Sequence, residues 1–234
     1  MIALHVSVDG EPNGLESLQL LALYFMLGQT FFRGMRHVNV TSNVDLLETL
    51  RTSGALKQGH FLLSSGRHSD QYVEKFDLLR EPKATSEVCA LIAERVADLA
   101  IDVVVGPTTG GVILAFEVAR QLGVAAAYAE RVDSNGSGRE FRRGTNFAPG
   151  ARILVVDDIL TTGGSVRETL AALDTHDVEV VAAALLVDRS EGDLEIGVPN
   201  FSLASLNIAS WDPAECPLCQ REVPLIKPGT TPGQ

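Results

Sequence analysis

Apolar and polar positions alternate along this chain at two periods, and the switches between them mark out its elements. In "NVDLLETLRTSGAL" (43–56) the apolar residues fall at helical spacing, with Asn43 placed to cap the start and Gly54 to stop the helix. "HFLLSSGRHSDQYVEKF" (60–76) reads as two short strands around the turn-prone Ser65 and Gly66, a hairpin. Between 84 and 99 the residues Val88, Leu91, Ile92, Val96 and Leu99 form one helical stripe, and "IDVVVG" (101–106) is an unbroken apolar run, the mark of a strand buried on both faces. The order then repeats: helix 111–122, strand 125–129, polar loop 131–150, strand "RILVV" (152–156), helix 165–174, strand "VEVVAAALLV" (178–187) and a last strand signal in "FSLASLN". A tail carrying Pro213, Pro217, Pro224, Pro228 and Pro232 is expected to be irregular.

Strands alternating with helices imply βαβ crossovers. The expected fold is therefore α/β, a mainly parallel twisted sheet with helices on both faces, plus a small N-terminal hairpin or hood. No repeat period interrupts this, and 234 residues at 45% hydrophobic suffice for one main domain, placed at 41–234. Residues 1–40 form an extension of a different kind. Its apolar stretch "LESLQLLALYFMLGQTFF" (15–32) has no basic region ahead of it and no small-residue cleavage pattern after it, and Glu16, Gln19 and Gln29 interrupt it. It falls short of the roughly 20 clean apolar residues of a spanning helix. Three readings stay open: an extra helix packed on the body or a partner, an upstream start ahead of Met35, or a membrane anchor.

A formal net charge of -11 argues against nucleic acid as the main partner, since that affinity comes from neutralising phosphates. Any anionic ligand needs a local positive site. Cys89 falls on the apolar face of the 84–99 stripe, as a core residue. Cys216 and Cys219, in "CPLC", are half of a tetrahedral thiolate site, with no second CxxC or HxxxH to complete it. Without widely spaced pairs, a reducing cytoplasmic setting is the simpler expectation.

The chemistry concentrates in "VVDDILTTGGS" (155–165). Asp157 and Asp158 follow four apolar residues and are expected where the strand leaves the core, because carboxylates deeper in would be costly to desolvate. Thr161 and Thr162 offer hydroxyls, and Gly163 and Gly164 let backbone amides approach a ligand. Ser165 with Glu168 fits a capping box at the start of the next helix, whose free amides bind anions. Acids that accept from a diol and a loop that holds a phosphate, within one turn of chain, suit a ribose 5-phosphate. The glycines match neither a Walker loop nor a GxGxxG fingerprint.

"ILVVDDILTTGGS" resembles the signature of phosphoribosyltransferases that use 5-phosphoribosyl-1-diphosphate. With "GHFLLSSGRHSDQYVEK", "VVVGPTTGGVILAFEVARQLG", "YAERVDSNGSGREFRRG", "LLVDRSEG" and "CPLCQREVPLIKPGT", the chain from about 43 to 230 resembles the orotate phosphoribosyltransferase family. That resemblance implies transfer of the ribose phosphate to orotate, with release of diphosphate and formation of orotidine 5′-monophosphate in UMP biosynthesis. It implies Mg2+ carried by the substrate near Asp157 and Asp158 rather than by a protein cage. Asp157 and Asp158 would bind the ribose diol, and Thr161, Thr162, Gly163, Gly164 and Ser165 the 5′-phosphate. Thr108, Thr109, Gly110 and Gly111 would meet the diphosphate, and Arg189 the orotate carboxylate, unless it only pairs with Glu191 at the surface.

The loop 131–150, with Arg131, Arg139, Arg142 and Arg143 and the glycines 136, 138 and 144, has the composition of a mobile cationic lid. In the family the lid reaches a neighbouring subunit's site, so a homodimer is expected. Arg131 is counted with the acid pair as catalytic, although lysine is common at its position. Ser64 and Gly110 also stand where other members have lysine. Two alternatives stay open: a purine or other base-salvage transferase on the same scaffold, since the ribose site does not choose the base, and, from these departures, a non-catalytic regulator that binds the ribose donor.

Overall fold

The computed structural model describes residues 45–63, 65–133, 138–190 and 194–228. The extension 1–40, Asn43, Ser64, Gly136, Glu191 and Pro232 lie outside the described residues. Helix α1 (Leu46–Thr52) is capped by Asp45, whose carboxylate accepts from the Leu47 amide at 2.9 Å, so the cap lies two residues beyond Asn43. Strands β1 (Leu56–Leu62) and β2 (His68–Val73) form the expected antiparallel hairpin. Helices α2 (Lys75–Leu79) and α3 (Pro82–Arg95) follow; Pro82 suits the first turn of α3, where no amide partner is lost.

The body then runs β3 (Val103–Pro107), α4 (Gly110–Leu122), β4 (Ala125–Arg131), β5 (Arg139–Glu140), β6 (Ala151–Leu160), α5 (Gly164–Leu173), β7 (Val178–Asp188) and β8 (Asn200–Ser205). Among the described residues these strands make one six-stranded sheet in the order β5-β4-β3-β6-β7-β8, parallel except for β5. The steps from β3 to β4 and from β6 to β7 run in opposite directions along the sheet. Crossovers of one hand therefore place α4 and α5 on opposite faces. Side-chain alternation serves both: Val105, Ile153, Val155 and Leu185 pack with Val166 and Leu173 of α5, while Val104, Leu154 and Val156 are buried toward the other face.

Two expectations are corrected. The tail is not simply irregular: β9 (Ser210–Trp211) adds a third strand to the hairpin, in the order β1-β2-β9, and a short helix α6 (Pro217–Gln220) follows. The strand "RILVV" also does not end before the acids. It continues through Leu160, and Asp157 and Asp158 are only 5% and 4% exposed within it. Burial is tolerated because each carboxylate is met by donors at the strand's C-terminal end, as set out below.

Candidate active site

Where β3 feeds one direction of the sheet and β6 the other, the strands' carboxyl ends open a crevice, the usual ligand position in such folds. The two loops that border it touch. A Cβ at Gly110 would lie 2.0 Å from Asp158 Oδ2, so only glycine fits against this carboxylate. The same closeness explains why a larger residue is missing at 110. The Thr108 to Gly111 turn is tight as well, since a Cβ at Gly106 would lie 2.0 Å from the Gly111 carbonyl oxygen. The Thr108–Thr109 peptide bond is cis.

The acid pair is held by specific donors. Asp157 Oδ1 accepts from the Asp158 amide at 2.9 Å, and its Oδ2 accepts from the Ser165 hydroxyl. Asp158 Oδ1 accepts from the Ile159 amide at 2.8 Å, and Lys75 Nζ reaches both of its oxygens, at 3.0 and 2.8 Å. Burial, and then the neighbouring Asp158 charge, push the Asp157 carboxyl up to about 6, while the Ser165 hydroxyl works against the shift. Lys75 was not singled out from the sequence. The signal available was its place at the start of α2, directly after the capping Glu74, but nothing local pointed it at a residue 83 positions away.

Helix α5 begins at Gly164, after an N-cap Gly163 in a left-handed conformation with φ 76°, and no side chain caps it. The expected capping box is not formed. Ser165 turns to Asp157 and Glu168 pairs with Arg139 at 3.4 Å, which leaves the first-turn amides available to an anion. Thr161, Thr162 and Gly164 are exposed beside them. Arg167 donates to the Thr162 carbonyl at 2.6 Å and the Glu195 carbonyl at 2.9 Å, fixing the loop's outer edge.

The lid arginines divide. Arg139 is buried, with Nη1 donating to the Thr108 carbonyl, the Thr108 hydroxyl and the Ala129 carbonyl at 3.1–3.3 Å. From this buried position it braces the Thr108 turn. Arg131 stands opposite it across the β4–β5 pair and is exposed. Arg142 pairs with Glu140 and donates to the Val132 carbonyl; Arg143 pairs with Glu130 at 3.2 Å. The base of the arm is anchored by Phe141, Phe147 and His176, whose rings meet edge to face with centroids 5.0–5.5 Å apart.

Arg189 emerges from the end of β7 and is half-buried, its amide bonded to the Leu160 carbonyl at 2.8 Å. Its Nε is buried without a hydrogen-bond partner among the described residues. Burial holds the guanidinium below its usual range, partly offset by Tyr72 of the hood. A donor fork with an unmet buried N–H is suited to a planar carboxylate.

The phosphoribosyl transferase domain model matches residues 77–217. The chain is 43% identical over 185 residues to the orotate phosphoribosyltransferase of Caldanaerobacter subterraneus subsp. tengcongensis, covering 79% of this chain and 96% of that protein. The chain belongs to the orotate phosphoribosyltransferase family. Its relative in Heliobacterium modesticaldum is 42% identical over 193 residues, covering 81% and 98% of the two chains. The crystal structure of the Aeropyrum pernix orotate phosphoribosyltransferase superposes with a TM-score of 0.61 at 32% identity, covering 69% of this chain and 94% of that one. The Mycobacterium tuberculosis orotate phosphoribosyltransferase, solved with inorganic phosphate, gives 0.55 at 30% identity, with the same coverage. In this chain the acid pair lies against the Gly110 turn, and Asp157 is tied through Ser165 to the uncapped start of α5.

Proposed function

We propose that this chain transfers the 5-phosphoribosyl group of 5-phosphoribosyl-1-diphosphate to orotate, releasing diphosphate and forming orotidine 5′-monophosphate for UMP synthesis, within a catalytic domain at 41–234. One observation carries the reading: Asp158 lies against the Gly110 turn and one loop away from the uncapped α5 start, so diol acceptors stand between two anion sites. In this reading Asp157 and Asp158 orient the ribose hydroxyls, and Thr161, Thr162, Gly163 and Gly164 hold the 5′-phosphate. Ser165 keeps Asp157 in place. Thr108, Thr109, Gly110 and Gly111 receive the diphosphate. Arg189 turns its unmet donor to the orotate carboxylate, and Arg131, Arg142 and Arg143 close over the leaving group.

The rate comes from alignment and from positive charge near the departing diphosphate, which gains negative charge as its bond to the ribose breaks. Mg2+ suits the site: the donors there are carboxylate oxygens, and the raised Asp157 carboxyl marks a place where added positive charge is favourable. When bound with the donor it would neutralise diphosphate charge. Cytoplasmic residence is supported by the three free cysteines. Among the described residues no helix is long and apolar enough to cross a membrane. Exposed Ile113 and Phe116 on α4 support a homodimer.

The test is diphosphate release with the ribose donor, Mg2+ and each of orotate, uracil, adenine, hypoxanthine and xanthine. Orotate alone should respond. Arg189→Ala should raise KM for orotate by about tenfold or more, with little change for the ribose donor. Release with a purine, or equal KM effects on both substrates, would overturn the assignment; binding without release would mean a regulator.

A further inference from the structure

The "CPLC" pair, which the sequence leaves without partners, finds them in the hood. His60 lies on β1 and His68 on β2, at positions that the hairpin turn folds together, and Cys216 and Cys219 flank the start of α6. One ligand atom from each of the four lies within 4.8 Å of all the others. His60 Nε2 and His68 Nδ1 are 2.9 Å apart. Cys216 Sγ is 3.5 Å from His60 Nε2, and Cys219 Sγ is 3.7 Å from it and 3.2 Å from His68 Nδ1. We propose that His60, His68, Cys216 and Cys219 form a structural zinc site that staples the hood hairpin to the C-terminal segment.

Three independent features support this. The first is size. Zinc bonds of about 2.0 Å to nitrogen and 2.3 Å to sulfur, at tetrahedral angles, imply ligand separations of about 3.3 Å between nitrogens and about 3.5 Å between nitrogen and sulfur. The observed contacts straddle those values. The second is orientation. His60 Nδ1 lies 2.7 Å from the Val223 carbonyl oxygen, which can only accept, so Nδ1 carries a hydrogen and Nε2 is the nitrogen that faces the other three side chains. A carbonyl partner on the far ring nitrogen is the usual support of a metal-bound imidazole. The third is burial: His60, His68 and Cys216 are buried, with Cys219 at the edge. Two imidazoles and two thiols facing one another in a core leave lone pairs and weak donors poorly matched, and one cation satisfies all four.

The donor set selects the metal. Two thiolates and two imidazoles in tetrahedral array are a zinc set, whereas magnesium takes oxygen donors and six-fold geometry. Four protein ligands leave no open position, so the site is structural and does no chemistry of its own. Its placement gives it a mechanical role. The paired ligands are 151 to 159 residues apart in sequence, so one ion closes a very long loop. Backbone bonds reinforce the junction: the Leu62 amide donates to the Ile226 carbonyl and the Ile226 amide to the His60 carbonyl, both at 2.8 Å. His68 pairs with Trp211 of β9. From His68 the same strand runs to Tyr72, beside Arg189, and the chain then enters α2 with Lys75, on Asp158. The staple therefore fixes the hood face that borders the crevice.

The test uses the full chain purified without chelator or affinity metal from zinc-supplemented cells. Elemental analysis should find one zinc per chain, retained through dialysis against EDTA and released when a mercurial titrates the thiols. Cobalt(II) exchanged into the site should show the intense visible bands of a tetrahedral centre together with thiolate charge transfer. Cys219→Ser and His68→Gln should lower zinc occupancy by about tenfold and reduce Tm, while Cys89→Ser should retain the metal. If the ligand variants fail to fold, the zinc content and cobalt spectrum of the unaltered chain decide alone. Zinc below about a tenth of an equivalent after reconstitution, an octahedral cobalt spectrum, a Cys216–Cys219 disulfide in protein handled under argon, or unchanged occupancy in both ligand variants would overturn the proposal.

Discussion

In the six-stranded sheet, β6 buries eight of its ten residues and β7 an unbroken run from Val181 to Val187, and the buried set is wholly Val, Ile, Leu and Ala apart from the acid pair. In the hood, β1 and β2 bury only His60, Phe61, His68, Ser69 and Val73, and three of these five are polar. Each fully buried aliphatic side chain contributes about 1.5–3 kcal/mol, so the large sheet is held by many interchangeable contributions. The hood has few of these and depends on named polar contacts: the His and Cys cluster, Arg67 on the Ser210 carbonyl at 2.7 Å, and the Ser69 hydroxyl on the Ala209 carbonyl at 2.8 Å. The crevice lies where the two meet. The rigid sheet supplies Asp157, Asp158 and Arg189; the hood supplies Lys75 and Tyr72 against them. A precise scaffold thus faces a wall whose position depends on a handful of specific bonds.

The largest effect should come from the sheet side without loss of the sheet. Asp158→Asn keeps the shape but removes the charge that Lys75 faces, and kcat/KM should fall by about 10²–10³-fold with Tm nearly unchanged. Circular dichroism melts beside steady-state rates check this. A collapse of Tm would mean that the Lys75 to Asp158 pair holds hood and sheet together and is not mainly a functional contact.

The parts of this arrangement that could be read from sequence are those with a local cause. Unalternated runs located β3, β6 and β7, the helical stripes located α3 and α4, and Ser65 and Gly66 located the hairpin turn. The acid pair and the Thr161 to Ser165 loop could be read because strand, acids and helix start are contiguous. Three things could not. The strand runs on through Asp157 and Asp158 because Ser165 and Lys75 supply donors, and the second of these comes from a distant segment. Glu168 fits a capping box by spacing, but a buried Arg139 competes for it. His60 and His68 complete the Cys216 and Cys219 set across a hairpin, with seven intervening residues in place of the three to five that a helical metal motif would have, so a spacing search passes over them.

A second comparison lies within the arm of residues 131–150, where Arg139 and Arg142 are three residues apart but differ in burial. Removing Arg139 leaves Glu168 and the Thr108 and Ala129 carbonyls without their cation in a buried place. Arg139→Ala should therefore destabilise the fold by about 3 kcal/mol. Arg142→Ala touches an exposed pair and should change stability by less than about 0.5 kcal/mol while slowing turnover. Urea melts of both variants give the contrast directly. Equal losses would mean that the arm is one folded unit and not an anchored base with a free outer edge.

The smallest effect concerns the protonation of Asp157, raised from 3.8 to about 6. The native state binds this proton more tightly than the unfolded chain does, so between about pH 4 and 6 the contribution of Asp157 to stability falls as pH rises. On acidification from pH 7 to 5 this group should therefore stabilise the fold, by on the order of 2 kcal/mol at most, against the general trend for paired carboxylates. Activity should move the other way, because a protonated Asp157 accepts poorly from a ribose hydroxyl, and kcat/KM for the ribose donor should drop below about pH 6. Asp157→Asn should abolish the group's contribution to the stability profile and leave turnover uniformly low. If kcat/KM of the unaltered chain stays flat down to pH 5, Asp157 is ionised throughout, and the Ser165 hydroxyl and nearby positive charge outweigh burial at this position.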